Sequence, residues 1–270
     1  MRNPYDSEGS LLYSLTMPTY AFAEWLADQI RLTVFPSPGA TDYSAQQWWE
    51  AIVGGPPEQV TTNLRMGQST MVGAFHAGKL ILKLEPGRID WLFTPPDPDP
   101  IGPTGNLPSI GPISENLASF SDLAERWLGL TDIPDLTRIA FGMVVSHPEE
   151  DRRSAYMRLP DYLPIRVDPD SSDFIFQINV PTVSRTKISG LRINRLTRWS
   201  IMALTQVALR LEGTRVATAS SGIMAHALRA EMDINTSPEF PGVLPRNQLV
   251  EVYQELVALG QGVVTEGLPQ

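Results

Sequence analysis

Three runs between residues 69 and 94, "STMVGAFH", "KLILKLE" and "RIDWLFT", alternate apolar and polar side chains and are separated by Ala77-Gly78 and Pro86-Gly87. Period two predicts strands with one buried face. Two-residue loops that hold a glycine free to take positive φ predict tight hairpins. This meander commits part of the chain to antiparallel sheet, and the rest must be read around it.

Ahead of the meander, "ADQIRLTVFP" (27–36) alternates Ile30, Leu32 and Val34 with Arg31 and Thr33, which predicts a half-buried strand ended by Pro36. "TDYSAQQWWEAIVGG" offers Asp42 as a cap, an apolar side of Trp48, Trp49, Ile52 and Val53, and Gly54 as a stop, which predicts a helix. Behind the meander, residues 114–128 place Leu117, Phe120, Ala124, Trp127 and Leu128 on one helical face, with Gly129 to close it.

The second half repeats that order. A strand is expected at 135–147, a short helix at 152–163 broken at Pro160, and strands in "DFIFQINVP", "SIMALTQVALRL" and "HALRAEMDINT", joined by long loops. The closing helix "LPRNQLVEVYQELVALG" has Pro245 near its start and Gly260 at its end. The expected fold is α+β: two related strand, helix, three-strand, helix units, residues 1–130 and 131–270, forming mostly antiparallel sheets with helices packed on them. Whether they join into one pseudo-duplicated domain is open at this point.

Seven prolines fall in the nineteen residues 94–112, "TPPDPDPIGPTGNLPSIGP". Given the repeated order, this tract lies inside the first unit, not between units. A polyproline-like path of that length spans on the order of 50 to 60 Å, enough to cross a sheet face, so it reads as a stiff surface brace.

The chain has 270 residues, 42% of them hydrophobic, and no cysteine, which removes disulfides, thiolate metal sites and a cysteine nucleophile together. No apolar run is long enough to span a membrane. The first residues mix acids and prolines where an export signal would be basic and then apolar, so a cytoplasmic location is expected. Charge is uneven. Residues 1–150 carry eighteen acids and eight bases, residues 151–270 twelve acids and thirteen bases, so polyanion binding is disfavoured in the first half and open in the second.

Several near-motifs fail on chemistry. "GAFHAGKL" (73–80) lacks the hydroxyl after its lysine that would hold magnesium, and it opens a strand where a phosphate loop enters a helix. "DPDSSD" (168–173) lacks the glycine and the bidentate glutamate of a calcium loop and reads as a capped turn. His76, His147 and His226 stand far apart with no ligand spacing. Arg229, Glu231, Asp233 and Asn235 share one face of a strand, a set that could hold a metal but fits an ion-paired face better. No cofactor and no metal are expected.

The remaining feature is "SRTKISGLRINRLTRWS" (184–200), read as a loop. Arg185, Lys187, Arg192, Arg195 and Arg198 fall within fourteen residues, no acid occurs between Asp173 and Glu212, and Trp199 follows. Bases beside an aromatic can grip phosphates and stack a base, and they can equally pair with the protein's own acids.

The segments "ADQIRLTVFP", "LTRIAFGMVV", "SSDFIFQINVP" and "ALRAEMDINT" with the terminal helix resemble a sporadically distributed family of uncharacterised bacterial proteins of about 250 residues, over roughly residues 20–265. The resemblance implies a duplicated α+β fold and brings no catalytic residues. The expected function is a non-enzymatic protein-binding or assembly component, with Arg185, Lys187, Arg192, Arg195, Arg198 and Trp199 as the contact surface. The alternatives are nucleic-acid or nucleotide-like anion binding through 185–199, and a hydrolase-type enzyme whose site is assembled only by folding.

Overall fold

The computed structural model describes residues 22–39, 45–97, 107–212 and 215–268, and within the paired strands it describes side chains outside 206–224. The alternating segments form a ten-stranded antiparallel sheet. In chain order the elements are β1 (Leu26–Pro36), α1 (Ala45–Val53), β2 (Gln59–Asn63), β3 (Gln68–Phe75), β4 (Gly78–Glu85), β5 (Arg88–Thr94) and α2 (Ile113–Leu128). They continue with β6 (Leu136–Glu149), α3 (Arg152–Tyr162), β7 (Ile175–Asn179), β8 (Thr182–Val183), β9 (Arg192–Glu212), β10 (Arg215–Thr236) and α4 (Leu249–Glu266). The α+β class expected from the sequence is the observed one.

Across the sheet the order is β2-β3-β4-β5-β1-β6-β10-β9-β7, with β8 also on β9. The first strands of the two halves, β1 and β6, pair along their length from Leu26↔Ser146 to Pro36↔Leu136 and so join both halves into one sheet. Outward from that pair each half lays down its last strand first.

All four helices lie on one face. Trp49 of α1 stacks on Trp91 of β5, Phe120 of α2 on Phe93, and Tyr162 of α3 on Trp199 of β9, while Tyr253 of α4 meets Phe141 of β6 edge-on. Strand alternation feeds this face with Ile30, Leu32 and Val34, with Phe141 and Met143, and with Leu228, Ala230 and Ile234, all buried in one continuous core. Fully burying a side chain of this kind stabilises by roughly 1.5–3 kcal/mol. The opposite face carries Arg31, Thr33, Asp90, Arg138, Arg229, Glu231, Asp233 and Asn235 and has no helix over it among the described residues.

Local expectations fail where side-chain packing overrides pattern. The β3–β4 turn is His76-Ala77, not Ala77-Gly78: His76 takes φ 48°, and Gly78 already pairs with Phe75. Gly78 is small for another reason, since a Cβ there would lie 2.2 Å from the Thr94 carbonyl oxygen. A fourth strand, β2, precedes the meander; its "QVTTN" lies exposed on the sheet edge, so it lacks the alternation that marks a half-buried strand. Pro160 does not break its helix, because α3 runs through it and closes one turn later with Leu163 N–H donating to the Leu159 carbonyl at 2.9 Å. Nor does Gly260 end α4, which continues to Glu266 and is capped by Gly267 at φ 75°. Gly260 instead admits Phe141, whose Cε1 would lie 2.7 Å from an added Cβ.

The largest correction concerns β9. It starts at Arg192, eight residues before the expected strand, and forms with β10 one long hairpin paired from Thr236↔Ile193 to Arg215↔Glu212, where a long loop was expected. The Asp42 cap and residues 98–106 of the proline tract lie outside the described residues. The far end of the tract is held by β1: Ile110 N–H donates to the Ala27 carbonyl at 2.8 Å, and Ala27 N–H to the Gly111 carbonyl at 2.9 Å.

Candidate functional site

The arginine-rich segment is half loop and half strand, and the sheet divides its charges. Arg185 and Lys187 sit exposed on the β8–β9 loop, which is anchored where Glu255 of α4 accepts from Ser184 Oγ at 2.5 Å and from Arg185 N–H at 2.7 Å. From Arg192 onward, alternation sends Arg192 and Arg198 to the helix-free face, where Arg198 stands opposite Gln177 and Glu231. Arg195 points to the other face, into a cleft of about 510 Å³ that it lines with Arg185 and with Glu251, Glu255 and Glu266 of α4. Its Nε is buried with no hydrogen-bond partner among the described residues.

Trp199 is fully buried. It stacks on Tyr162 at 5.4 Å between centroids and meets Trp25 edge-on at 6.1 Å. The expected stacking platform for a base is therefore a core residue, because position 199 has the parity of Ile193 and Thr197, which face the helices. The five bases and the tryptophan do not converge on one patch.

The five bases do share an electrostatic property. Among the described residues, none of Arg185, Lys187, Arg192, Arg195 and Arg198 lies within 4.0 Å of a carboxylate oxygen, a property shared by Arg65, Arg126, Arg138, Arg152 and Arg166, whereas Arg31, Lys79, Lys83, Arg88, Arg153, Arg158, Arg229 and Arg246 each have such a partner. No direct ion pair among the described residues holds this run. Beside it β7 is the last strand of the sheet, and the nearby Ile175 and Val183 are 64% and 66% exposed.

On the helix-free face the ion-paired reading of β10 holds. Arg229 Nε lies 3.3 Å from Glu231 Oε1, and Asp233 Oδ2 lies 3.7 Å from Arg31 Nη2, which itself crosses over Gly142. Asn235 accepts from Arg138 Nη2 at 2.8 Å and donates to Asp233 Oδ1 at 3.0 Å. No group of three metal-ligating side chains occurs among the described residues.

One residue of this face was not singled out from sequence. The β1–β6 register shifts between Ala27 and Gln29, leaving Asp28 as the extra residue of a β-bulge, a device that re-aims a side chain. Asp28 Oδ2 accepts from Ser146 Oγ at 2.7 Å and lies 3.8 Å from Arg229 Nη1. Oδ1 is buried without a donor among the described residues. Burial, partly offset by the Ser146 hydrogen bond and Arg229, pushes the carboxyl up to about 6. Only the acid at the head of the strand was visible in sequence; the bulge depends on pairing with a strand over 110 residues away.

His147 has two carboxylate neighbours within 3.5 Å. Its Nδ1 lies 2.8 Å from Glu149 Oε1 and its Nε2 3.3 Å from Glu24 Oε2, while Arg158 also pairs with Glu149. The imidazole packs edge-on to Trp25 at 5.4 Å. This chain has the components of acid–base chemistry, yet none of the five clefts described by volume is lined by His147 or Glu149. His226 stands opposite Glu149 in the β6–β10 register, and His76 is a turn residue.

The near-motifs take their structural roles. "GAFHAGKL" is the β3–β4 hairpin, with Lys79 paired to Asp97 at 2.5 Å. "DPDSSD" is a turn in which Asp168 accepts from the Asp170 and Ser171 amides. No helix among the described residues is long and apolar enough to cross a membrane. Compared with known proteins, the sequence matches no family model and no curated protein.

Proposed function

We propose that this protein is a non-enzymatic binding or assembly component that takes an extended, acidic segment of a partner protein along the β7–β8 edge. The observation that carries the reading is the run of five bases with no carboxylate partner among the described residues, beside the last strand of the sheet. An added strand gains main-chain hydrogen bonds from such an edge, and alternate side chains meet the surface on either side. Here Ile175 and Val183 would take apolar side chains, while Arg192 and Arg198 would take carboxylates. The cysteine-free composition supports action in the cytoplasm, and the shared element order supports reading the two halves as related units joined at β1 and β6.

Anion or nucleic-acid binding is the second reading, supported by the same bases, none of which has a carboxylate partner among the described residues. It has lost its stacking residue, since Trp199 is enclosed. A labelled peptide of alternating Glu and Val, and in parallel a labelled single-stranded oligonucleotide, separate the two. The strand-addition reading expects the peptide to bind, to weaken at least tenfold in the Arg192→Glu/Arg198→Glu variant, and to resist displacement by oligonucleotide. Tighter, salt-sensitive oligonucleotide binding that the same variant abolishes would install the second reading instead.

A further inference from the structure

The long hairpin runs past the rest of the sheet. β6 pairs with β10 from Asn235↔Ala140 as far as His226↔Glu149, and β7 leaves β9 at Ile175↔Ser200. Beyond those points β9 and β10 pair with each other up to Arg215↔Glu212, and among the described residues no other strand joins them on either side. Strand residues 201–212 span about 40 Å, so the hairpin leaves the sheet as a two-stranded arm. Cover ends near its base, where Ala203 and Thr205 are already exposed. A lone two-stranded ribbon is at best marginally stable in water, and three or more strands are needed for it to stand by itself.

The two free edges of the arm differ. β10 carries extra residues at Ala219 and Met224, bulges that break its outer row of backbone groups, whereas β9 keeps an unbroken register from Ile201 to Glu212. Between Arg198 and Arg210, β9 contains no charge and no proline. Edges are ordinarily blunted by charge, proline, bulges or shortness. The outer strands β2 and β7 are five residues each, while the free stretch of β9 has none of those devices over nine residues, 201–209.

Such an edge takes an extended strand, and its composition selects which. An acidic segment would meet no base there before Arg210. A bilayer would have to pass Arg210, Glu212 and Arg215 at the far end of the arm. A second copy meets neither obstacle. Antiparallel pairing of β9 with itself runs across a two-fold axis, so it closes on a dimer and starts no filament. In a register centred on Val207, Arg210 falls opposite the second copy's Leu204 and Glu212 opposite its Met202, so no like charges meet.

We propose that two copies of this chain join through their arms, β9 against β9, in a four-stranded antiparallel sheet ordered β10-β9-β9-β10. The second copy supplies the strands that the ribbon lacks.

Sedimentation equilibrium of the full chain across the micromolar range tests this, with circular dichroism to verify folding. The expected mass is twice the 29.8 kDa of one chain, falling reversibly on dilution. Thr205→Lys/Val207→Lys sets lysines against lysines near the axis and should weaken the dimer at least tenfold, and Thr205→Glu/Val207→Glu should do the same. An equal mixture of the two variants should regain the dimer with one copy of each, a rescue that misfolded arms would not give. Val60→Lys, on the opposite edge of the sheet, should leave the mass unchanged. A monomer at every concentration, a dimer that both double variants leave intact, or a folded mixture that stays monomeric would each overturn the proposal. A monomer that sediments with phosphatidylcholine vesicles would overturn it in favour of a bilayer. Peptide binding at the β7–β8 edge is read separately, since none of these substitutions lies on β7 or β8.

Discussion

Ser146 Oγ donates to Asp28 Oδ2 at 2.7 Å at the one place where β1 and β6 slip register near the strand start. The contact gives a raised carboxyl a hydrogen bond on one oxygen only, and that has a consequence for stability.

Asp28 binds its proton more tightly folded, at about 6, than at its ordinary value of 3.8. Its contribution to stability is fully present below about 3.8 and is lost as pH rises through about 6. Between pH 4.5 and 7.5 the stability difference between the natural chain and Asp28→Asn should shift in the variant's favour by about 2 kcal/mol. Urea unfolding of both proteins across that range checks the sign; a difference independent of pH contradicts it.

Two glycines two residues apart on α4 should respond in opposite directions. Gly260→Ala drives a methyl into Phe141, where overpacking costs about 1–3 kcal/mol. Gly262→Ala meets nothing within 4 Å and should stabilise by about 0.5–1 kcal/mol through helix propensity. Thermal melts of the pair are sufficient.

The neighbours Arg198 and Trp199 separate surface from core. Trp199→Ala should cost about 3–5 kcal/mol, as expected of a large side chain removed from a packed site. Arg198→Ala should stay within about 0.5 kcal/mol, since it leaves no partner unpaired. Chemical denaturation of each variant reads the contrast.

At the β3–β4 hairpin the strained residue and the small residue are different ones. His76→Gly should be neutral to stabilising by up to about 1 kcal/mol, because φ 48° is unfavourable for a side chain with a Cβ. Gly78→Ala should destabilise by about 2 kcal/mol or more, as its methyl meets the Thr94 carbonyl. Melting temperatures of the two variants should move apart.

Much of the fold could be read from local pattern. Ile30, Leu32 and Val34 announced β1, the alternation of "HALRAEMDINT" sorted both faces of β10 correctly, and Leu117, Phe120 and Trp127 placed α2. These depend on a period of 2 or 3.6 and on one buried face, which any short window of sequence contains. The candidate site was legible only in part. The run of bases was visible, but its separation onto two faces follows from β9 beginning at Arg192, and in "RINRLTRW" the charge of Arg195 and the hydroxyl of Thr197 interrupt the apolar positions that share parity with Ile193 and Trp199.

The sequence by itself determined the α+β class, the antiparallel meander and the helix faces, because side-chain periodicity and turn chemistry are local. Tertiary structure alone decided that β1 and β6 join the halves into one sheet, that Trp199 is core, and that Asp28 sits in a bulge with one unsatisfied oxygen. Each of those is a relation between strands or helices far apart in the chain, set by which surfaces exclude water together.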